Sequence, residues 1–138
     1  MPIQWRDQFS VCNDMIDTDH QYLLEIINKA EASLKANQWA KLPVLLDELA
    51  HYGQLHFQRE EQLARAIAYP QSDQLHVSHD ALLVKLQEVR AGLGDSWSQA
   101  AINHFTAFLR DWLLNHVIKE DMLMKPWLTQ HAPRFVPR

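Results

Sequence analysis

The stretch HFQREE at residues 56–61 places a histidine and a glutamate four residues apart, within a segment whose apolar residues recur at helical spacing. On an α-helix, His56 and Glu60 lie about 40° apart around the axis and one turn apart along it, so both can reach one metal ion. Such pairs are also frequent on helix surfaces, where they form a simple ion pair. Taken alone, the stretch predicts a long helix and leaves both interpretations open.

Apolar residues at helical spacing on both sides of this stretch predict four helices. We predict helix A at about 18–36, a long helix B marked by apolar residues from Leu42 to Ile67, helix C at about 73–91 and helix D at about 97–120. Because short turns make consecutive helices antiparallel neighbours, the expected fold is all-α, an antiparallel up-down-up-down four-helix bundle. An N-terminal arm with Trp5 and a proline-bearing C-terminal tail flank it, and residues 1–138 are expected to form one domain.

Residues with known capping and breaking preferences mark the ends of these helices. Asp17 and Thr18 are expected to cap helix A, and Ser72 or Asp73 to cap helix C. The segment 92–96 (GLGDS) is interpreted as the end of helix C, a turn and the cap of helix D. Prolines 126, 133 and 137 make the last dozen or so residues a poor helix, so we expect a tail that lies against the bundle.

Composition argues against several classes of partner. The formal net charge is −4 and no cluster of lysine and arginine is present, so we expect no nucleic-acid partner. No apolar run approaches the roughly 20 residues that cross a bilayer, and the first residues lack the features of a signal peptide. We therefore expect a cytoplasmic protein with no membrane contact. The single cysteine, Cys12, excludes an internal disulfide.

Every predicted helix carries a histidine near its apolar stripe, and two helices also carry a nearby carboxylate. His116 lies in the apolar run WLLNHVI, on the predicted buried face of helix D, where an imidazole is costly unless it is hydrogen-bonded or binds a metal. Asp121 follows it about 140° around the helix, an orientation that suits a bridging ligand. Each histidine alone is more simply a buried or surface residue, but one shared site explains all of them together. The candidate ligands are His20, His56, Glu60, His79, His116 and Asp121.

Nitrogen and oxygen donors without a thiolate suit iron, manganese or zinc, and six donors exceed the need of one four-coordinate zinc ion. A pair of metal ions bridged by Glu60 and Asp121 would use all six. Two divalent cations carry more charge than two carboxylates neutralise, so an additional oxo or hydroxo bridge is expected.

The pattern resembles the hemerythrin family, whose motifs are a histidine on helix A followed by HxxxE, HxxxH and HxxxxD. The resemblance covers nearly the whole chain, through Trp5, IDTDH at 16–20, HFQREE, Tyr69-Pro70 and WLLNHVIKED at 112–121. It implies two iron ions that bind oxygen or a similar small ligand. By the resemblance, His20 and His56 would bind one iron and His79 and His116 the other.

One position departs from the family pattern. The first histidine of HxxxH should be residue 75, which is Leu75 here. His76 is a candidate substitute, although it points about 100° away from residue 75 on a regular helix. A small rotation or a π-bulge in helix C would be needed to bring it inward. Without His76, an open position at the second iron is expected.

The leading functional interpretation is an oxygen-binding protein that acts as carrier, store or sensor rather than as an enzyme. A diiron enzyme that acts on peroxide, oxygen or nitric oxide is an alternative. A sensory module with a signalling output domain as partner is another, because members of the family also occur attached to such domains. A bundle without metal is the fourth. Oligomeric state is not predicted from these residues.

Overall fold

The computed structural model of the chain describes residues 2–94 and 97–137, and these residues form helices and turns without any β-strand. The elements are a 3₁₀ turn at Asp7–Phe9, α1 at Asp14–Lys35, a 3₁₀ turn at Trp39–Lys41, α2 at Leu42–Ala66, α3 at Ser72–Ala91, α4 at Gln99–Arg110, a π-helical segment at Asp111–Ile118, α5 at Lys119–Met122 and α6 at Lys125–Leu128. Because α4, the π-helical segment and α5 follow one another without a gap, we call them together the fourth rod.

The other three rods of the bundle are α1, α2 and α3. The four rods pack side by side, with α1 against α2 and α4, and α2 against α3. The fourth rod is joined to α3 by Trp112, whose indole N–H donates to the carbonyl oxygen of Leu82 over 3.1 Å. The predicted all-α bundle is thereby confirmed. None of the helices within the described residues is both long and apolar enough to cross a bilayer.

Two apolar clusters fill the interior, a large one at one end of the bundle and a smaller one at the other. A polar residue separates them along each rod. From the N-terminus of each rod, the order is Ile16, His20, Leu23 in α1; Phe57, Glu60, Leu63 in α2; Leu75, His79, Leu82 in α3; and Ile118, Asp121, Met124 in and after the fourth rod. The small cluster comes first in α1 and α3 and last in the other two, as an antiparallel up-down bundle requires.

Helix α1 begins four residues earlier than the sequence predicts, so the expected cap at Asp17 or Thr18 is wrong. Asn13 is the cap, and its side chain accepts a hydrogen bond from the amide of Ile16. Asp17 lies inside the first turn of α1, where its carboxylate accepts hydrogen bonds from the Ser10 hydroxyl at 2.5 Å and the Val11 amide at 2.9 Å. Asp17 therefore fixes the N-terminal arm rather than starting the helix.

The other helix boundaries follow the predictions with local differences. Helix α3 is preceded by Gln71 as its cap residue, so neither Ser72 nor Asp73 caps it. Gly92 ends α3 as expected. Asp95 and Ser96, the predicted turn and cap before helix D, lie outside the described residues, and Ser98 caps α4 by accepting from the amide of Ala101.

The C-terminal segment contains one short helix, α6, and residues 129–137 form no helix, in agreement with the poor helix predicted for this segment. Pro126 stands in the first turn of α6, where its missing N–H costs no hydrogen bond. The segment lies against the bundle as expected, because the Pro133 carbonyl accepts from the amide of Asp14 at 2.8 Å. The Phe135 carbonyl likewise accepts from the side-chain amide of Asn13 at 3.0 Å.

Candidate metal centre

Four of the six predicted ligands meet between the two apolar clusters. His20 of α1, His56 and Glu60 of α2 and Asp121 of α5 each offer one ligand atom, and these atoms all lie within 4.8 Å of one another. All four side chains are buried. Three helices therefore direct two imidazoles and two carboxylates into one small volume that is closed to bulk water.

Asp121 lies at the middle of this group. Its Oδ2 atom is 2.6 Å from His20 Nε2 and 3.3 Å from His56 Nε2. His56 Nε2 is also 2.8 Å from Glu60 Oε2. Both imidazoles thus present their Nε2 atoms to the carboxylates, which is the arrangement that would place a shared cation between them.

Several polar atoms at this point have no hydrogen-bond partner. Both carboxylate oxygens of Glu60, Oδ1 of Asp121 and Nδ1 of His20 are buried without one, since the short His56–Glu60 contact lacks the orientation of a hydrogen bond. Leaving such a group unsatisfied costs about 1–3 kcal/mol, and more when it is charged. Carboxylate oxygens that face a cluster of imidazole nitrogens fit a bound cation, which would satisfy them.

The electrostatics of the metal-free group lead to the same interpretation. Burial and the neighbouring Asp121 raise the pKa of Glu60 to about 7. Burial alone would lower the pKa of His56, but the carboxylates of Asp121, Asp19 and Glu60 outweigh it and raise that pKa well above its usual range. Burial likewise disfavours the charged form of Asp121, yet the neighbouring Glu60, His20 and His56 outweigh it and lower its pKa. In the metal-free protein, protons on Glu60 and His56 therefore offset the negative charge of the buried carboxylates.

These shifts predict pH-dependent metal binding. Because a metal ion must displace the protons held by Glu60 and His56, apparent affinity is expected to rise between pH 6 and pH 8, by about tenfold per pH unit for each proton released. Calorimetric titration in two buffers of different ionisation enthalpy measures the protons released. Glu60→Gln is expected to release fewer protons than the wild type. Equal affinity at pH 6 and pH 8 would contradict the prediction.

The second ring nitrogen of His56, Nδ1, is held by a carboxylate that was not predicted from the sequence. His56 Nδ1 lies 3.0 Å from Asp19 Oδ2, and Arg59 holds the same carboxylate through a 2.6 Å contact to Asp19 Oδ1. A carboxylate in this position fixes the tautomer and ring orientation of a metal-binding histidine. Asp19 stands beside His20 in IDTDH, so the motif contained the residue, but no spacing rule connected it to His56 on another helix.

Asp19→Asn is expected to weaken metal binding about 10- to 100-fold, because the amide no longer fixes the His56 ring as a carboxylate does. Equilibrium dialysis against Fe²⁺ without oxygen measures the change. Asp47→Asn is the matched control, since Asp47 also pairs with an arginine, Arg90, but on the exposed surface. A loss of affinity as large in the control as in Asp19→Asn would show that the effect is not specific to His56.

His79 of α3 lies next to the four-residue group, with its Nε2 atom 3.4 Å from Glu60 Oε1. Glu61 contacts its Nδ1 atom at 3.2 Å, and the ring stacks on Phe57 with centroids 4.0 Å apart and planes 8° apart. Burial lowers its pKa, but Glu60 and Glu61 more than compensate and the pKa is raised. Glu61 is a second carboxylate at the site that was not predicted from the sequence.

The structure does not bring His116 into the group. Its side chain is 49% exposed and its Nε2 atom lies 3.3 Å from Asp111 Oδ2, so the predicted position on the buried face is wrong. The cause is the π-helical segment Asp111–Ile118: i→i+5 bonding brings residues 111 and 116 together on the outside while Val117 and Ile118 face the core. The role of His116 as a ligand stays a prediction.

Positions 75 and 76 of α3 also lie apart from the donors. Leu75 is 5% exposed and packs in the smaller apolar cluster. His76 is 54% exposed and contacts the carboxylates of Glu61 and Asp80. The helix is regular here, so the rotation that would turn His76 inward does not occur.

Comparison with known proteins identifies relatives along most of the chain. The family model described as "Hemerythrin HHE cation binding domain" matches residues 12–128. A bacteriohemerythrin of Clostridium acetobutylicum is 27% identical over 121 residues, covering 85% of this chain and 94% of the relative. One of Methylococcus capsulatus is 30% identical over 116 residues, covering 82% and 86%. A crystal structure of a hemerythrin variant superposes with a TM-score of 0.79 at 24% identity, covering 94% of this chain and 99% of the other, and supports the fold.

Proposed function

Because the chain belongs to the hemerythrin family, we propose that it is a non-haem iron protein that binds molecular oxygen at a centre of up to two irons, as a carrier, store or sensor. His20, His56, Glu60 and Asp121 would hold one iron, and Glu60 and Asp121 would bridge it to a second beside His79. His116 could join that second iron only if its side chain left Asp111.

The observation that carries this proposal is the group of buried carboxylate oxygens without hydrogen-bond partners, facing two imidazole Nε2 atoms. Imidazole and carboxylate donors without a thiolate are the set that non-haem iron uses. Bound iron would supply the redox chemistry of oxygen capture. The protein supplies the donors, fixes His56 through Asp19, and neutralises the cation with two carboxylates.

The surroundings suit a small apolar ligand. Phe57 covers one face of the His79 ring, and Trp112 lies beside Phe57 with ring centroids 6.2 Å apart. Both side chains are buried in the larger apolar cluster. Oxygen partitions into such surroundings, whereas water and ions are disfavoured there. A buried centre also excludes larger substrates, which favours binding over catalysis on an organic molecule.

Spectroscopy of iron-loaded protein tests the proposal. The full chain is loaded with Fe²⁺ without oxygen, exposed to oxygen and then returned to argon. A visible charge-transfer band that appears with oxygen and disappears under argon is the expected result. His20→Ala, which removes one imidazole, is expected to lose the band. Iron-loaded wild type without a reversible band would contradict oxygen carriage, and steady turnover of peroxide or nitric oxide with an electron donor would favour an enzyme instead.

A further inference from the structure

We propose that the two metal positions of this centre are unequal, so that the chain binds one metal ion tightly and a second at least about 100-fold more weakly. The tight position lies at His20 and His56, and the weak one at His79. The inference rests on the proposed function, since it assumes that the centre holds metal. The position at His20 and His56 is expected to fill with metal first, because the position at His79 lacks imidazole donors.

The first position has a full set of protein donors. Two buried imidazoles and two buried carboxylates place their ligand atoms within 4.8 Å of one another. Asp19, itself held by Arg59, fixes the His56 ring from behind. Little rearrangement is needed to bind a cation, so the cost of ordering the ligands is already met by the fold.

The second position has lost one donor to an apolar side chain. Leu75 is one helical turn before His79 and on the same face of α3, so a histidine there would reach the same metal ion. The Leu75 side chain instead packs in the smaller apolar cluster, which includes Tyr69 and Met124. An isobutyl group supplies no lone pair, so this donor is absent whatever the conformation of the chain.

The other two imidazoles near this position are engaged elsewhere. His116 pairs with Asp111 on the outside of the fourth rod, and His76 pairs with Glu61 and Asp80 on the outside of α3. Both are about half exposed. Bringing either one inward would break its contacts with these carboxylates and rotate its helix against a packed core.

One imidazole therefore remains for the second metal ion. His79 Nε2, 3.4 Å from Glu60 Oε1, faces the centre. The other available donors are Glu60 Oε1 and Asp121 Oδ1, whose carboxylates face the first position with their other oxygens. A cation bound by one imidazole and two shared carboxylates must complete its coordination with water or small anions. Its affinity is accordingly lower than that of the first cation.

Titration of the metal-free full chain with Fe²⁺ without oxygen tests the inference, with bound metal measured by equilibrium dialysis and metal analysis. Wild type is expected to fill in two separate steps, the second at least about 100-fold weaker. Leu75→His supplies the missing imidazole and is expected to tighten the second step by about the same factor. Leu75→Phe is the matched control, since it places a ring of similar shape without nitrogen, and its second step is expected to stay weak.

The outcomes separate this inference from the proposed function. Two equally tight binding steps in wild type would overturn the inference but not the proposed function as an iron protein. This result needs no measurement on a variant. A folded Leu75→His, judged by circular dichroism, whose second step stays weak would also overturn it. Wild type that binds no metal ion would instead contradict the proposed function. One tight ion with no measurable second supports the inference.

Discussion

Removal of iron is expected to lower the midpoint of thermal unfolding by about 15 °C. Iron at 1,000 times its dissociation constant stabilises the folded chain by about 4 kcal/mol, because it binds the assembled donors and not the unfolded chain. In a domain of this size, each kcal/mol shifts the midpoint by about 4 °C. The oxygens of Glu60 and Asp121 that lack hydrogen-bond partners are the groups that a bound ion would satisfy. Scanning calorimetry under argon, with Fe²⁺ or with a chelator, measures the shift.

Asp121→Asn is expected to abolish this shift, because Asp121 is the residue whose carboxylate contacts both His20 and His56. Asp47→Asn is the matched control, as it changes a carboxylate that pairs with Arg90 on the exposed surface, away from the candidate ligands. The control is expected to keep the full shift. An iron-containing sample whose midpoint does not move on chelation would show that the buried donors do not bind the iron.

Trp112→Ala is expected to lower the free energy of unfolding by about 4 kcal/mol. Trp112 is 1% exposed and lies in the larger apolar cluster, where its ring approaches Phe57 and the backbone at Gly53. Truncation leaves a cavity that these neighbours fill only in part. It also removes the hydrogen bond from the indole to the Leu82 carbonyl, which joins the fourth rod to α3.

Denaturant unfolding of the metal-free protein measures this loss without the contribution of iron. Leu123→Ala is the control, since Leu123 is 58% exposed and its truncation is expected to change stability by less than about 0.5 kcal/mol. Trp112→Phe keeps an aromatic ring but not the N–H donor, and is expected to fall between the two. A loss below about 1 kcal/mol for Trp112→Ala would mean that the two rods do not depend on this contact.

The fold was predictable from the sequence because its signals are local. Apolar residues at helical spacing and short turns between them indicate an antiparallel bundle, and the structure confirms the four rods. Helix boundaries were less predictable where a residue of a capping type binds another group instead. Asp17 resembles a cap by type, but its carboxylate binds the N-terminal arm while Asn13 starts α1. Pro126 likewise lies in the first turn of a short helix, in a segment whose prolines predicted little helix.

The sequence by itself determined which residue types can chelate a cation and on which rods they stand, since side chains four apart share a helix face. It also determined that position 75 offers no donor. The tertiary structure decided which atoms meet. It paired Asp19 with His56 and Glu61 with His79 across helices, and it turned His116 to the surface through the π-helical segment. The physical reason is that helical periodicity is set by neighbouring residues, whereas contacts between rods depend on their separation, rotation and local helix type.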